Sequence, residues 1–255
     1  RQGDFRCENT YQVMAKITVK TRAIVLQTIK YGDSSLVVKM LTEEEGVQSF
    51  MVKGVFGKKS KMKAALFQNM TLLDIVAEIG NSSLGFIKEV TLSHYYKTIS
   101  TDIKKATIIM FISELLSKSI SESETDTLLF DYVYNSMLWL DDAISDYVNF
   151  PIEFALGLSR YLGFCPNFDT YTEGSSFDLL DGNFKKTQND IYQIETELSR
   201  KFYHVGNNSL DDSQKIYRLT NSDRRQLLDA LVMYYKLHTE NIREIKSLEV
   251  LREVF

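Results

Sequence analysis

Two patterns of apolar and polar positions divide the chain. From Lys20 to Leu92, short runs rich in β-branched residues alternate with turn signals, as in "TRAIVLQTI", "LVVKMLT" and "VQSFMVKG". The runs "MTLLDIVAEI" and "FIKEVTL" complete the series, with "EEEG" and "GNSSLG" as turns. Five strands in about 75 residues, with no long helix between them, predict a small closed barrel such as an OB-fold. The periodicity alone also allows an SH3-like barrel.

After His94 the apolar residues recur with the period of helices. Thr101 and Asp102 can cap a helix through "IKKATIIMFISELLSKSI", and its centre, residues 108–112, is apolar all round and is therefore predicted to be buried. We expect the barrel to lean on this helix through residues such as Ile103, Ala106 and Met110, because so small a barrel buries a modest core.

Several further helices are predicted. One carries an apolar stripe from Leu129 to Leu140, the next begins near Pro151 and stops at Gly163, and a long one follows the cap residues of "TNSD". Between Gly163 and Thr220 the pattern is irregular, with a hairpin predicted around Asp181-Gly182. Helical spacing also recurs there at four apolar positions: Ile191, Ile194, Leu198 and Phe202.

The predicted fold class is α+β. We expect an OB-fold barrel over residues 14–95 and a mostly helical domain over 96–255, with an irregular insertion at about 164–219. The first thirteen residues are polar and patternless, and Met14 looks like a natural start. We therefore interpret residues 1–13 as a disordered upstream extension or an expression remnant.

Charge is distributed unevenly along the chain. The formal net charge is −4, yet residues 14–80 hold ten basic against six acidic side chains, whereas residues 81–255 hold 18 against 26. Five lysines fall within the eleven residues from Lys53 to Lys63, in "VKGVFGKKSKMKAALFQ", with no acidic residue between them. Such asymmetry suggests that the two parts meet different partners.

The lysine segment has two interpretations. It is either a solvated loop between strands or a loop that contacts phosphates, since ammonium groups attract the nucleic-acid backbone without reading sequence. Phe56 and Tyr31 could stack on exposed bases, although a place in the core is the simpler expectation for each ring. Further basic residues of the same module are Lys16, Lys20, Arg22, Lys30 and Lys39.

Several classes of function lack their motifs in this sequence. There is no Walker-type glycine loop, no G-x-S-x-G and no H-E-x-x-H, and most carboxylates are expected on solvated helix faces. The two cysteines, Cys7 and Cys165, and three scattered histidines show no metal-ligand spacing, which favours a reducing cytoplasm and no metal or other cofactor. No run approaches the roughly 20 apolar residues of a membrane span.

The order of four segments resembles the RecO family of bacterial recombination mediator and DNA-annealing proteins. "TRAIVLQTIKYGDSSLVVKMLTEEEG" and "VKGVFGKKSKMKAALFQNMTLLDI" resemble its N-terminal domain. "GFCPNFD" with "FDLLDGNF" resembles the middle of the family, and "YYKLHTENIREIKSLEVLREVF" its C-terminal end. The similarity covers nearly all of residues 16–255.

This resemblance implies a non-enzymatic protein of recombinational repair, with an OB-fold that binds single- and double-stranded DNA. The partners it implies are RecR, the acidic tail of single-stranded DNA-binding protein, which meets the helical domain, and in some bacteria RecF. Such a protein would work in the bacterial cytoplasm, at the nucleoid. The DNA-binding residues it implies are Lys53, Lys58, Lys59, Lys61 and Lys63 of the lysine segment, together with Lys20, Arg22, Lys30 and Lys39.

The sequence departs from the family at one place. Many members carry four cysteines after the "GF-P-D" element and bind zinc there, whereas this stretch has only Cys165. We expect the zinc site to be absent and the hairpin to be held by packing, with Phe164, Phe168, Phe177, Leu179 and Phe184 as candidates. The site for the acidic tail is left unassigned, because residues 122–146 are themselves acidic.

The sequence alone leaves two functions open besides DNA repair. An RNA-binding OB module of translation or RNA processing would show the same charge pattern, because both classes contact phosphates and stack bases. A metabolic enzyme would need a deep pocket with convergent titratable groups, which the sequence does not indicate.

Overall fold

The N-terminal part is a ring of five paired strands. A computed structural model describes residues 17–57, 62–80, 84–120, 125–186, 191–207 and 218–254. Its first strands are β1 (Ile17–Tyr31), β2 (Ser35–Thr42), β3 (Gly46–Val52), β4 (Leu72–Ile79) and β5 (Leu84–Leu92). They are ordered β1-β2-β3-β5-β4, and β1 pairs with β4 to close the ring. Residues 1–13, to which we assigned an extension, lie outside the described residues.

The strand order distinguishes between the two barrels that the sequence allowed. β3 and β5 pair in parallel, and every other pair in the ring is antiparallel. A chain that simply runs up and down cannot place two such strands in parallel, whereas the Greek-key OB-fold does. The predicted OB-type, α+β architecture is therefore confirmed.

Helices follow the barrel, and their ends carry the predicted caps. They are α1 (Ile103–Ser119), α2 (Thr127–Asp142), α3 (Phe150–Tyr161), α4 (Thr196–Gly206), α5 (Asn221–His238) and α6 (Ser247–Val254). Asp102 caps α1 by accepting from the amides of Lys104 and Lys105. Thr220 and Asp223 form a reciprocal capping box at the start of α5. None of the described helices is long and apolar enough to cross a bilayer.

A small hairpin lies between α3 and α4. Its strands are β6 (Ser176–Asp178) and β7 (Asn183–Lys185), joined by the predicted turn, in which Gly182 takes a left-handed conformation (φ 67°). Phe177 and Phe184 are buried with ring centroids 5.0 Å apart, and Phe177 lies 4.9 Å from the ring of Phe202. All five candidates named for holding the hairpin belong to its buried packing or border it.

One helical prediction in this region is wrong. Ile191 was placed on a helical stripe, but it is 94% exposed and α4 begins only at Thr196. The other three apolar positions of that stripe are buried. The residues before Thr196 instead pair with the hairpin, since the amide of Ile194 donates to the carbonyl of Phe177 at 2.9 Å.

Alternation along β1 gives the barrel two apolar surfaces. Ala23 and Val25 point into the barrel, while Ile24 and Leu26 belong to the large core that also contains the helices. Ser113 of α1 donates to the carbonyl of Leu26 at 2.6 Å. The barrel therefore leans on α1, as expected.

Two of the three residues named for that contact are exposed, and the third, Ala106, is half-buried. Ile103 is 76% exposed and Met110 is 49% exposed, so the centre of α1 is not buried all round. The burial of Ile108, Ile109 and Ile112 shows that the opposite side of the helix faces the core. An unbroken apolar run does not indicate which side of a helix is covered.

A pair of buried charges joins the barrel to the helices. The carboxylate of Asp141, at the end of α2, accepts from the amides of Lys97, Thr98 and Ile99 at 2.9–3.2 Å and from His94 Nε2 at 3.2 Å. Burial raises the pKa of Asp141, but these donors outweigh it and hold the pKa well below its usual range. We call this arrangement, with Lys105, the Asp141–Lys105 joint.

Lys105 supplies the cation of that joint. Its ammonium donates to Thr98 Oγ1 at 2.6 Å and to the carbonyls of Asp141 and Ala143 at 3.0 and 2.7 Å. Three donors thus meet three acceptors, two of them at the C-terminal end of α2, where the helix dipole favours a cation. Together with Asp178 and Asp223, these two are the charged residues that are buried within the described part of the chain.

Candidate nucleic-acid interface

Exposed aromatic and basic side chains gather where β1 turns into β2. Tyr31 is 61% exposed and Phe56 is 51% exposed, so neither ring is in the core, which was the simpler expectation. The segment after β3 is held against this turn, since the amide of Val55 donates to the carbonyl of Ser34 at 2.9 Å. Lys30 Nζ lies 5.6 Å from the ring centroid of Phe56. We call Lys30, Tyr31 and Phe56 the loop-end cluster.

The backbone of the lysine segment has a sharp turn beside this cluster. Gly54 takes a left-handed conformation (φ 71°), and an added Cβ would meet nothing within 4 Å. The backbone conformation, and not crowding, is therefore what favours glycine here. Lys53 and Lys63 are the first and last lysines of the lysine segment, and both are exposed.

Not all of the basic residues named from the sequence fall within the described part of the chain. Lys16, Lys58, Lys59 and Lys61 lie outside the described residues. Lys20 is exposed on the outside of β1, opposite Val76 of β4.

Lys39 lies on the outside of β2, at a cleft between the barrel and the helices. Its ammonium donates to the carbonyl of Ser117 at 3.1 Å. The cleft has a volume of about 630 Å³, and Lys118, Lys246 and the exposed Met110 line it as well. Lys39 thus contributes to the contact between β2 and α1 in addition to its charge.

Arg22 is held in a different environment from the other cations. Its guanidinium pairs with Glu43 at 2.6 Å and with Asp131 of α2 at 3.1 Å. It also lies 5.1 and 4.8 Å from the ring centroids of Phe130 and Tyr134. The hydrogen bond with Glu43 raises the pKa of Arg22 and lowers that of Glu43. A phosphate would have to compete with two carboxylates, so this geometry gives Arg22 a role in joining barrel and helices.

A second exposed surface, which the sequence pattern did not predict, lies on the outside of β3 and β5. Met51 of β3 is the register partner of Phe86 of β5, and both are half-buried. Lys53 Nζ lies 5.2 Å from the ring centroid of Phe86. The signal that could have identified this surface is strand register, which pairs residues far apart in the chain and is not visible in periodicity.

The described residues contain no group of three or more His, Cys, Asp or Glu side chains that could hold a metal ion. Cys165 is half-buried, and its thiol donates to the carbonyl of Pro166 at 3.5 Å. A single thiol does not supply the four-ligand set of a structural zinc site.

The strand order and the exposed basic and aromatic side chains define an OB-type barrel of the class that binds nucleic acids, followed by a helical part. A family model described as "Recombination protein O N terminal" matches residues 14–96, and "Recombination protein O C terminal" matches residues 100–249. The chain belongs to the RecO family, and its role lies in DNA repair and recombination.

Relatives named "DNA repair protein RecO" are similar over nearly their whole length. The protein of Christiangramia forsetii is 35% identical and that of Flavobacterium psychrophilum 36%, in both cases over 93% of this chain and 99% of the relative. The protein of Bacteroides fragilis is 33% identical over 92% of this chain and 98% of its own. The resemblance inferred from four sequence segments is thereby confirmed.

Proposed function

We propose that the barrel binds single-stranded DNA through the loop-end cluster and the lysine segment. The observation that supports this most directly is the exposure of two aromatic rings, Tyr31 and Phe56, beside Lys30. Exposed rings stack on unpaired bases and ammonium groups contact phosphates, a combination typical of proteins that bind single strands without sequence preference. Lys53 and Lys63 extend the positive charge, and Lys58, Lys59 and Lys61 belong to the same segment.

We further propose that the protein is a non-enzymatic mediator of recombinational repair. It would anneal complementary strands and help to load recombinase onto DNA coated with single-stranded DNA-binding protein. Membership of the RecO family supports this role and suggests RecR, the acidic tail of single-stranded DNA-binding protein and, in some bacteria, RecF as partners. The site of action would be the bacterial chromosome in the cytoplasm.

Binding is tested with a variant in which Lys30, Lys53 and Lys63 are all changed to glutamate. Each lost phosphate contact lowers the magnitude of the slope of log K against log salt by about 0.7, so the triple variant should lose about 2. Affinity at low salt should fall more than tenfold, and equally for different base sequences, because lysines on phosphates carry no sequence information. The measurement is fluorescence anisotropy with a labelled oligonucleotide.

The matched control carries the same change of charge on the helical part. Lys186, Arg225 and Arg243 are all exposed, and changing them to glutamate should leave affinity and slope nearly unchanged. If the loop-end triple variant binds like wild type, this part of the barrel is not the DNA surface. Competition between single-stranded DNA and RNA distinguishes repair from an RNA-binding module, and annealing of coated complementary strands tests the mediator role.

A further inference from the structure

The outer face of β1, β2, β3 and β5 carries an apolar row across the strands. Register pairs Ile29 with Val37, Val37 with Met51, and Met51 with Phe86. Ile29 is 55% exposed, and the other three are half-buried. Cross-strand partners share a face of the sheet, so these four side chains lie side by side on the outside of the barrel. We call them the outer row.

The inside of the barrel confirms which way the outer row points. Phe50 and Gly85, one residue before Met51 and Phe86, are buried and face each other across the same strand pair. A Cβ on Gly85 would lie 2.8 Å from the ring of Phe50. Because successive side chains of a strand alternate between faces, Met51 and Phe86 must point outward.

Basic side chains border the outer row. Lys39 lies two residues along β2 from Val37 and therefore shares its face. Lys53 follows directly after β3, and its ammonium lies 5.2 Å from the ring centroid of Phe86. Lys88 is exposed near Phe86 on β5, where its ammonium lies 3.0 Å from Glu78 Oε1. The apolar strip is thus bordered by three ammonium groups.

Between β3 and β5 this surface forms a groove of about 320 Å³. Phe86 and the thioether side chains of Met51 and Met62 give it an apolar floor, and Lys53 and Lys88 stand at its sides. Among the described residues that line the groove, Glu78 is the one carboxylate, and Lys88 pairs with it. Its volume is at the lower end of the 300–1,000 Å³ found for small-molecule pockets.

We propose that Phe86 stacks on a base of single-stranded nucleic acid, with the flanking phosphates on Lys53 and Lys88. This rests on the proposed function and adds a residue and a path to it. The nucleic acid would leave the loop-end cluster at Tyr31 and cross the outer row to β5. That distance is three spacings between neighbouring β-strands, or roughly 14 Å. The ammonium of Lys53, which covers the ring of Phe86, would move to a phosphate as the base takes its place.

The charge of the rim favours this occupant over an apolar segment of a protein. An apolar partner would desolvate the ammonium group of Lys53 without supplying an anion and would also bury the Lys88–Glu78 ion pair, and burial of charge is costly. A nucleotide supplies both an apolar ring face and a phosphate, separated by the length of its sugar. The groove offers a matching arrangement of a ring and two ammonium groups.

The test compares Phe86→Leu with Tyr161→Leu, which removes an exposed ring from α3. Two labelled probes of equal length are used: oligo-dT, and a strand of abasic nucleotides that keeps the phosphates. Stacking on an aromatic ring contributes about 1–3 kcal/mol per base, so Phe86→Leu should weaken oligo-dT binding about 5- to 150-fold. The affinity of Phe86→Leu for the abasic strand should stay within twofold of wild type, and its slopes of log K against log salt should be unchanged for both probes. Tyr161→Leu should bind both probes like wild type.

The outcomes separate this inference from the proposed function. If wild type binds oligo-dT and Phe86→Leu binds it equally well, Phe86 does not stack on bases. That result would leave the proposal that DNA binds at the loop-end cluster standing. A wild-type protein that binds neither strand overturns the proposed function itself.

A second measurement covers the case in which Phe86→Leu does not fold. Photo-crosslinking of wild type with an oligonucleotide that contains 5-iododeoxyuridine should give an adduct in the peptide that carries Phe86. Adducts confined to other peptides would overturn the inference.

Discussion

Asparagine at position 141 should destabilise the protein strongly, although the change replaces a single atom. The Asp141 carboxylate accepts from three backbone amides and from His94. Asparagine keeps one side-chain oxygen, but hydrogen bonds to it are no longer bonds to a charged group. Its NH₂ group replaces the second oxygen and cannot accept a hydrogen bond from an amide. Hydrogen bonds to a charged group contribute about 1.5–3 kcal/mol and neutral ones about 0.5–1.5 kcal/mol, so each amide loses about 1 kcal/mol. The free energy of unfolding should fall by about 2–4 kcal/mol.

The neighbouring residue provides the control. Asp142 pairs with Lys97 at 3.1 Å, but both side chains are about two-thirds exposed, and such pairs contribute about 0–1 kcal/mol. Urea titrations of wild type, Asp141→Asn and Asp142→Asn at pH 7 give the three free energies. For a chain of this size, the expected loss lowers Tm by roughly 5–15 °C. Equal stabilities for the two variants would refute the idea that the Asp141–Lys105 joint stabilises the fold.

Three further predictions concern acid, metal and backbone. Burial raises the pKa of Glu114, but Lys118 and Ser247 hold it at about 2, so its contribution is present above about pH 4.3 and is lost as pH falls towards 2. In urea titrations, the destabilisation by Glu114→Gln should therefore be larger at pH 7 than at pH 3; an equal cost at both would contradict this. Elemental analysis should find no stoichiometric zinc, and a chelator should leave Tm unchanged; one tightly held zinc per chain would disprove this. Thermal melts should show that Gly182→Ala, whose Cβ would lie 2.7 Å from Tyr234 Oη, costs more than Gly163→Ala, which has a positive φ but open space; equal costs would mean that Tyr234 moves aside.

Local signals in the sequence predicted the elements well, because they act over a few residues. The cap at Asp102 and the turn at Asp181-Gly182 depend on neighbours within four positions, and both were found. The apolar stripe from Leu129 to Leu140 likewise placed both of these residues in the core correctly. The closed ring of strands also followed from the number and length of the runs.

What the sequence could not reveal depends on contacts between distant residues. Lys105 and Asp141 look like ordinary surface charges until the ends of α1 and α2 are brought together. Arg22 looks like any other lysine or arginine of the barrel until Glu43 and Asp131 are placed beside it. The DNA-binding role of the individual lysines stays a prediction.

The parallel pairing of β3 and β5 is short, since it joins only 49–51 to 84–86 within the described strands. Parallel pairs are slightly less stable per residue than antiparallel ones, so the barrel should open here before it opens elsewhere. Met51 and Phe86 lie on either side of this pairing. A strand laid across both would act as a clamp, and the amide protons of the pair should exchange with solvent more slowly when DNA is bound. Slower hydrogen exchange at the β3–β5 pair would then report that the groove is occupied by DNA.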